Sequence, residues 1–228
     1  MKYRNGSSGP SWLWWGSVSL LVTTLLVGLG LVAALALGWR APTPRRAPDW
    51  TADGASTWQV QGDGTLTFTP AGYQWCLSAP EQYAWAIAGQ PVADFDLVMV
   101  ARSSLDSEDI GYGVLYRYQD RDNYYLFAVG ADGYYTVAVV RGGHLTPVHD
   151  WQEWPHVRRG AGANRLRIRC QGATCRFYIN GEFTAEITDR TFLSGDIGLW
   201  VETFSDPALA VTFEQVRLWL LTASDTDE

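Results

Sequence analysis

The side chains able to do chemistry in this chain cluster in a few places. Cys170 and Cys175 flank a Gly172-Ala173 dipeptide. Glu182 and Glu186 lie on one alternating stretch, and paired carboxylates are the machinery of glycoside hydrolysis. Asp106, Glu108 and Asp109 crowd the segment 103–109, and clustered loop carboxylates can hold Ca²⁺. The three histidines, His144, His149 and His156, fall in one stretch with Trp151, Glu153 and Trp154. Exposed indoles of that kind stack on the apolar faces of sugar rings. Arg165, Arg167, Arg169 and Arg176, joined by Tyr178, make an arginine row, and arginine forks suit carboxylates. No serine or cysteine nucleophile stands recognisably beside a base.

The elements that must position these groups are strands. From about residue 56 the pattern has period two, clearest at residues 65–69 and 164–170. Residues 112–118, 124–129, 134–140, 199–202 and 210–220 are rich in aromatic and β-branched types. Glycine, aspartate and asparagine clusters separate them, as at Asp120, Asp122 and Asn123, at Asp132-Gly133, and at Asn180-Gly181. Many short strands, frequent turns and no helical stretch of about 10–12 residues predict a mainly β domain, a two-sheet antiparallel sandwich.

Register decides what the candidate groups can do. Leu166, Ile168 and Cys170 share a face with Cys175 and Phe177 if a two-residue Gly172-Ala173 turn, type II′, joins their strands. That turn sets Cys170 directly opposite Cys175, with Cα atoms ~4.5 Å apart, within disulfide range. Two small buried hydrophobes facing each other are the alternative. Cys76 is left over and is expected to be a buried thiol. In the following hairpin, Phe183, Ala185 and Ile187 share the face of Phe177 only across an odd loop, predicted as residues 179–181. The same register places Glu182 and Glu186 on the outer face ~13 Å apart. That exceeds the separation in retaining and inverting glycosidases. Arg165, Arg167, Arg169, Arg176 and Tyr178 also face outward. They either pair with neighbouring carboxylates across strands or form a binding face for an acidic glycan or a protein carboxylate patch. The indoles, with His149 and His156 beside them, either stack on sugars or close one end of the sandwich.

Charge and hydropathy divide the chain. It has 228 residues, 17 basic and 24 acidic. Lys2, Arg4, Arg40, Arg45 and Arg46 precede residue 47 and no acidic residue does, which leaves 12 basic against 24 acidic residues, net −12. A domain that acidic repels phosphate backbones, so nucleic acid is excluded as a partner. Residues 13–37 carry no formal charge over 25 residues, enough to cross a bilayer. Trp12, Trp14, Trp15 and Trp39 sit at the two ends, where indoles prefer the headgroup region. A cleaved signal peptide with an Ala34-Leu35-Ala36 site is the alternative, but the run is far longer than the usual apolar region of one. The predicted organisation is a polar tail (1–11), a transmembrane signal anchor (12–39), a Pro/Arg linker (40–49), a sandwich domain (50–221) and an acidic tail (222–228). Basic residues flank both sides of the span, so they do not orient it. A Cys170–Cys175 disulfide would place the domain in an oxidising compartment, with the N-terminus cytoplasmic and the domain extracytoplasmic.

The order of residues from Gly111 to Trp219 resembles the concanavalin-like, laminin-G-like jelly-roll superfamily. Within it the likeness is greatest to bacterial domains of the 3-keto-disaccharide hydrolase type. The resemblance is carried by Gly113-Val114-Leu115-Tyr116-Arg117, Asp122-Asn123-Tyr124-Tyr125-Leu126-Phe127, Trp151, Asn164-Arg165-Leu166, Phe177-Tyr178-Ile179-Asn180-Gly181, Gly195-Asp196-Ile197-Gly198-Leu199 and Val211-Thr212-Phe213. It implies a jelly roll with one concave sheet, binding sugars or proteins on that sheet or its rim loops, and a packed Trp151. It also implies that calcium at Asp106, Glu108 and Asp109 is open as the sole cofactor, since laminin-G-like domains often carry it. The Glu-x-Asp-x-(x)-Glu strand of laminarinase-type relatives is absent. The expected function is therefore a membrane-anchored exoplasmic module that binds glycan or envelope polymer without catalysis. The alternatives are an accessory subunit docked on a membrane protein complex, and a hydrolase of a modified (3-keto) glycoside.

Overall fold

The computed structural model describes residues 46–104, 107–205, 210–222 and 225. The polar tail, the apolar run assigned to the membrane, residues 40–45 of the linker and most of the acidic tail lie outside the described residues, as does Asp106.

In chain order the strands are β1 (Trp50–Thr51), β2 (Gln59–Gly62), β3 (Thr65–Thr69), β4 (Gly72–Cys76) and β5 (Tyr83–Ile87). Next come β6 (Phe95–Ser103), β7 (Ile110–Asp120), β8 (Asn123–Gly130), β9 (Tyr134–Arg141) and β10 (His144–Glu153). The last are β11 (Asn164–Gln171), β12 (Thr174–Ile179), β13 (Glu182–Thr188), β14 (Asp196–Thr203) and β15 (Ala210–Leu220). Among the described residues there is no helix. Every strand pair is antiparallel. The first sheet has the order β13-β12-β11-β6-β15-β4-β3, with β1 also on β15. The second runs β10-β9-β8-β7-β14-β5-β2. Distant strands lie side by side in both, and the two sheets pack face to face as a jelly-roll sandwich.

The core between the sheets takes Trp75, Phe95, Phe177 and Phe213 from the first and Tyr112 and Phe127 from the second, all buried. The sheets differ in their other faces. β11 alternates buried and half-buried residues along its whole length, the signature of one solvated face. β8 and β9 are buried almost throughout, as strands covered on both faces are. The second sheet thus has an outward surface unlike the polar, arginine-bearing one of the first.

The cysteine hairpin has the expected register. Gln171 pairs with Thr174 and Cys170 with Cys175. Gly172 has a φ of 55°, the left-handed first position that a type II′ turn needs. A disulfide joins Cys170 to Cys175 across Cα atoms 4.1 Å apart. The next hairpin corrects the sequence reading. Ile179 pairs directly with Glu182, so the loop is the two-residue Asn180-Gly181 turn, with φ values of 56° and 98°. The odd residue is supplied instead by a bulge on β13, between the Phe177 and Tyr178 pairs. Ala185 and Ile187 keep the core face. Phe183 does not: it pairs with Tyr178, packs edge-on against that ring at 5.8 Å and is exposed. Glu182, opposite buried Ile179, and Glu186, opposite Arg176, therefore point to opposite faces. Cys76 is a second correction. It follows buried Trp75 on a strand, so it faces out, and it is a free, exposed thiol.

Buried polar groups fasten the ends of the sandwich. Arg117 is buried with a φ of 52°. It donates to the carbonyls of Phe192 at 3.0 Å, Ala93 at 3.4 Å and Gly172 at 2.5 Å. It thereby ties β7 to the turn of the disulfide hairpin. Burial lowers its pKa, and the three peptide carbonyls solvate its charge. Asn164 works similarly at the other end of β11. Its amide donates to the Tyr112 hydroxyl at 2.8 Å and the Arg158 carbonyl at 2.9 Å, and its oxygen accepts from the Arg158 backbone at 2.9 Å.

Candidate functional site

Most of the residues singled out from the sequence are engaged by their own chain. On the arginine row, Arg167 forms a bidentate pair with Asp96, its Nε 2.8 Å from Oδ1, and its guanidinium lies 5.3 Å from the Tyr178 ring centre. The same carboxylate lies 3.6 Å from Arg169, which also donates to the Asp225 carbonyl. Arg176 donates to Glu186 at 2.6 Å. Arg165 is half-buried, and its backbone N–H donates to Asn180. Asp96 comes from β6, whose pairing with β11 no local pattern reveals. Arg167, Arg169 and Arg176 are thus matched by carboxylates of their own sheet.

The indole segment is not a loop but β10, an edge strand with bulges between Pro147 and His149 and between His149 and Gln152. The bulges turn Trp151 outward, leaving it 39% exposed, so it is not packed as the resemblance implies. Trp154 instead packs against the core, edge-on to Tyr135 at 6.0 Å and tilted against His156 at 5.6 Å. His149 offers its carbonyl to Thr136, and His156 its carbonyl to Asn180. Of the acidic cluster, Glu108 lies 3.7 Å from Arg159, and the Asp109 carboxylate accepts from the Ser205 backbone. Among the described residues no three His, Cys, Asp or Glu side chains come together as a metal set.

The arrangement with the makings of a site lies elsewhere, on the outward face of the second sheet. Trp85 and Ile87 of β5, Trp200 of β14, Leu115 of β7, and Leu126 and Ala128 of β8 form a buried cluster separate from the core. Alternation accounts for it: on each strand these are the partners of the core-facing residues. Trp200 pairs directly with Trp85 on one side and Gly113 on the other. The same indole lies close over Gly111, where a Cβ would come within 3.1 Å of the Trp200 ring.

Polar-tipped rings surround this floor. Tyr83 stacks on Trp85 with centroids 5.9 Å apart and planes 11° apart. Tyr118 stacks on Tyr124, also at 5.9 Å, and Gln61 donates to the Tyr118 hydroxyl at 3.5 Å. Burial, then the charges of Tyr83, Tyr118, Asp122 and Glu202, push the Tyr124 hydroxyl up to about 12. Tyr83 is the register partner of Glu202, and Gln61, opposite Trp85, reaches the Tyr118 hydroxyl beside the Tyr124 ring, so these tips border one floor although they arise from different strands. Glu202 stands between Tyr83 and Gly111 in the register. It is half-buried, and burial alone raises its pKa. The Trp85 Nε1 donor is buried without a hydrogen-bond partner. Stacked rings, an idle donor and a lone carboxylate over an apolar floor match the composition of small-molecule sites. A sugar would use the rings for its C–H faces and the polar tips for its hydroxyls. The signal in the sequence was the pair of continuous apolar runs at residues 124–130 and 134–140, which do not alternate.

No family model matches the chain, and no curated protein matches it. Solved structures of similar fold do. The carbohydrate-binding module CBM66 from Bacillus subtilis is 16% identical, with a TM-score of 0.55 over 70% of this chain and 94% of that one. The exoplasmic/lumenal domain of VIP36, in its Ca²⁺/Man3GlcNAc-bound form, is 15% identical, with a TM-score of 0.53 over 74% and 86%. A native glycosidic hydrolase is 10% identical, with a TM-score of 0.55 over 78% and 97%. At these identities the likeness shows the fold, that of concanavalin-like jelly-roll sandwiches.

Proposed function

We propose that the chain is a glycan-binding module without catalytic chemistry, and that its site is the outward face of the second sheet. The observation that carries this reading is the pair of ring stacks, Tyr83 on Trp85 and Tyr118 on Tyr124, beside Glu202 on a floor of buried Trp85 and Trp200. The fold shared with a carbohydrate-binding module and with a sugar-bound lumenal domain supports it. A shared fold with a hydrolase supports catalysis less well, because at 10% identity that likeness shows the fold alone. Calcium, bound by the VIP36 domain, would fall here to the loop of Asp106, Glu108 and Asp109. The uncharged run 13–37 anchors the module to a membrane, and the Cys170–Cys175 disulfide favours an exoplasmic domain. The test is a glycan array probed with the full chain in mild detergent. Saturable binding that Tyr83→Ala weakens is the expected result; no binding at millimolar sugar rejects the reading.

A second reading, an accessory subunit of a membrane complex, is favoured by the breadth of the apolar surface. Leu126 pairs with Ala138 and Tyr124 with Val140, which carries that surface across β9 to exposed Leu145 and Val148 on β10. Stoichiometric co-purification of another membrane protein in mild detergent would support it, and a lone monomer would count against it.

A further inference from the structure

A neutral sugar would use Glu202 only as an acceptor for a hydroxyl, which leaves its charge without a counter-charge. The Glu202 carboxylate makes no ion pair and no hydrogen bond among the described residues. The nearest matches elsewhere behave differently: Asp96, Glu186, Glu214 and Glu153 each hold an arginine. A half-buried carboxylate without a cation is costly, and the domain's net charge of −12 adds to the cost. The pairing on β14 sets Tyr83 directly beside Glu202, with Trp200 two positions along on the same face. Gly111 and Gly113 flank these two residues on the other side, and the Trp200 ring leans over Gly111, the register partner of Glu202. Aromatic rings beside a carboxylate are what a desolvated ammonium group prefers, by cation–π and ion pairing together. The Trp85 Nε1 donor, buried and unpartnered, needs an acceptor such as a hydroxyl oxygen.

Resting on the glycan reading above, we propose that this face takes a sugar bearing a free amino group, a 2-amino-2-deoxyhexose that is not N-acetylated. Its ammonium sits against Glu202 and the rings of Tyr83 and Trp200, and a ring hydroxyl accepts from Trp85 Nε1. Acetylation would remove the charge and add bulk at the carboxylate, leaving Glu202 unpaired in the complex.

The experiment is calorimetric titration of the full chain in mild detergent with the glucosamine disaccharide and with its di-N-acetylated form. The free amine is expected to bind about tenfold more tightly, the factor a charge-assisted contact supplies. Glu202→Gln is expected to abolish that ratio, bringing the affinity for the free amine down to that for the acetylated disaccharide. A domain so acidic attracts any cation weakly, so a preference that survives Glu202→Gln overturns the assignment to this residue. Equal binding of the two disaccharides to the unmodified chain overturns the amine and leaves the glycan face standing. Failure of both to bind overturns this proposal, and an empty glycan array alongside would overturn the function as well.

Discussion

Reducing the Cys170–Cys175 bridge should lower stability without disturbing the packing around it. Both sulfurs are buried, so reduction leaves two small apolar side chains where they were. What is lost is the constraint on the unfolded chain. The bridge spans a sequence separation of 5, a closed loop of about six residues, for which chain entropy gives about 2 kcal/mol at 25 °C. For a domain of this size that corresponds to a fall in Tm of about 4–8 °C. The assay is a calorimetric or circular-dichroism melt of the full chain with and without reductant. Cys170→Ala/Cys175→Ala serves as the control that reductant should not affect. Identical melts would refute the entropic reasoning. Free thiols at both positions in protein taken directly from its native host would go further. They would remove the argument for an oxidising compartment, and with it the exoplasmic placement of the domain.

Other substitutions separate the parts of the argument. Tyr83→Ala removes a half-exposed ring from the stack on Trp85, so glycan affinity should fall by about fivefold, near 1 kcal/mol, with Tm almost unchanged. Trp151→Ala should leave glycan affinity unaltered, since that indole stands on the edge strand β10 away from the cluster; a large loss would move the site to the edge strand. Glu202→Gln should raise Tm at about pH 8 and have no effect at about pH 4. Its folded pKa is raised by burial, so the carboxyl's contribution is complete while it is protonated and is lost as pH rises through that pKa. Arg117→Met strands the carbonyls of Phe192, Ala93 and Gly172 and should cost about 3 kcal/mol, read as a lowered midpoint in urea; an unchanged midpoint would deny Arg117 its role as a tie.

The strands were legible because their signals are local. Residues 65–69 and 210–220 coincide with β3 and β15, and the alternation at 164–170 is β11 with one residue added. The cysteine register was legible for the same reason, since a two-residue turn with glycine first leaves one way to superpose the apolar faces. The second hairpin defeated the same logic. A bulge inside β13 and an odd loop before it restore the same parity, and the sequence distinguishes them only through Asn180-Gly181, the pair that a two-residue turn favours. Cross-strand charge pairing was legible as one of two readings, and Arg176 meets Glu186, but the partner of Arg167 was not. Arg167 meets Asp96 across a separation of 71 residues, and only the neighbourhood of β6 and β11 makes that contact.

The candidate site shows the same division most sharply. The sequence by itself determined that the chain makes short antiparallel strands, that aromatic residues abound on them, and that Cys170 can meet Cys175. Period two told which residues share a face of one strand. It could not tell which strands lie together, because sheet order joins residues far apart in the chain and depends on how whole faces pack. Tertiary structure decided that β5, β7, β8 and β14 are neighbours. That gathered Tyr83, Trp85, Tyr124, Trp200 and Glu202 onto one surface and left the carboxylate there with no cation among the described residues.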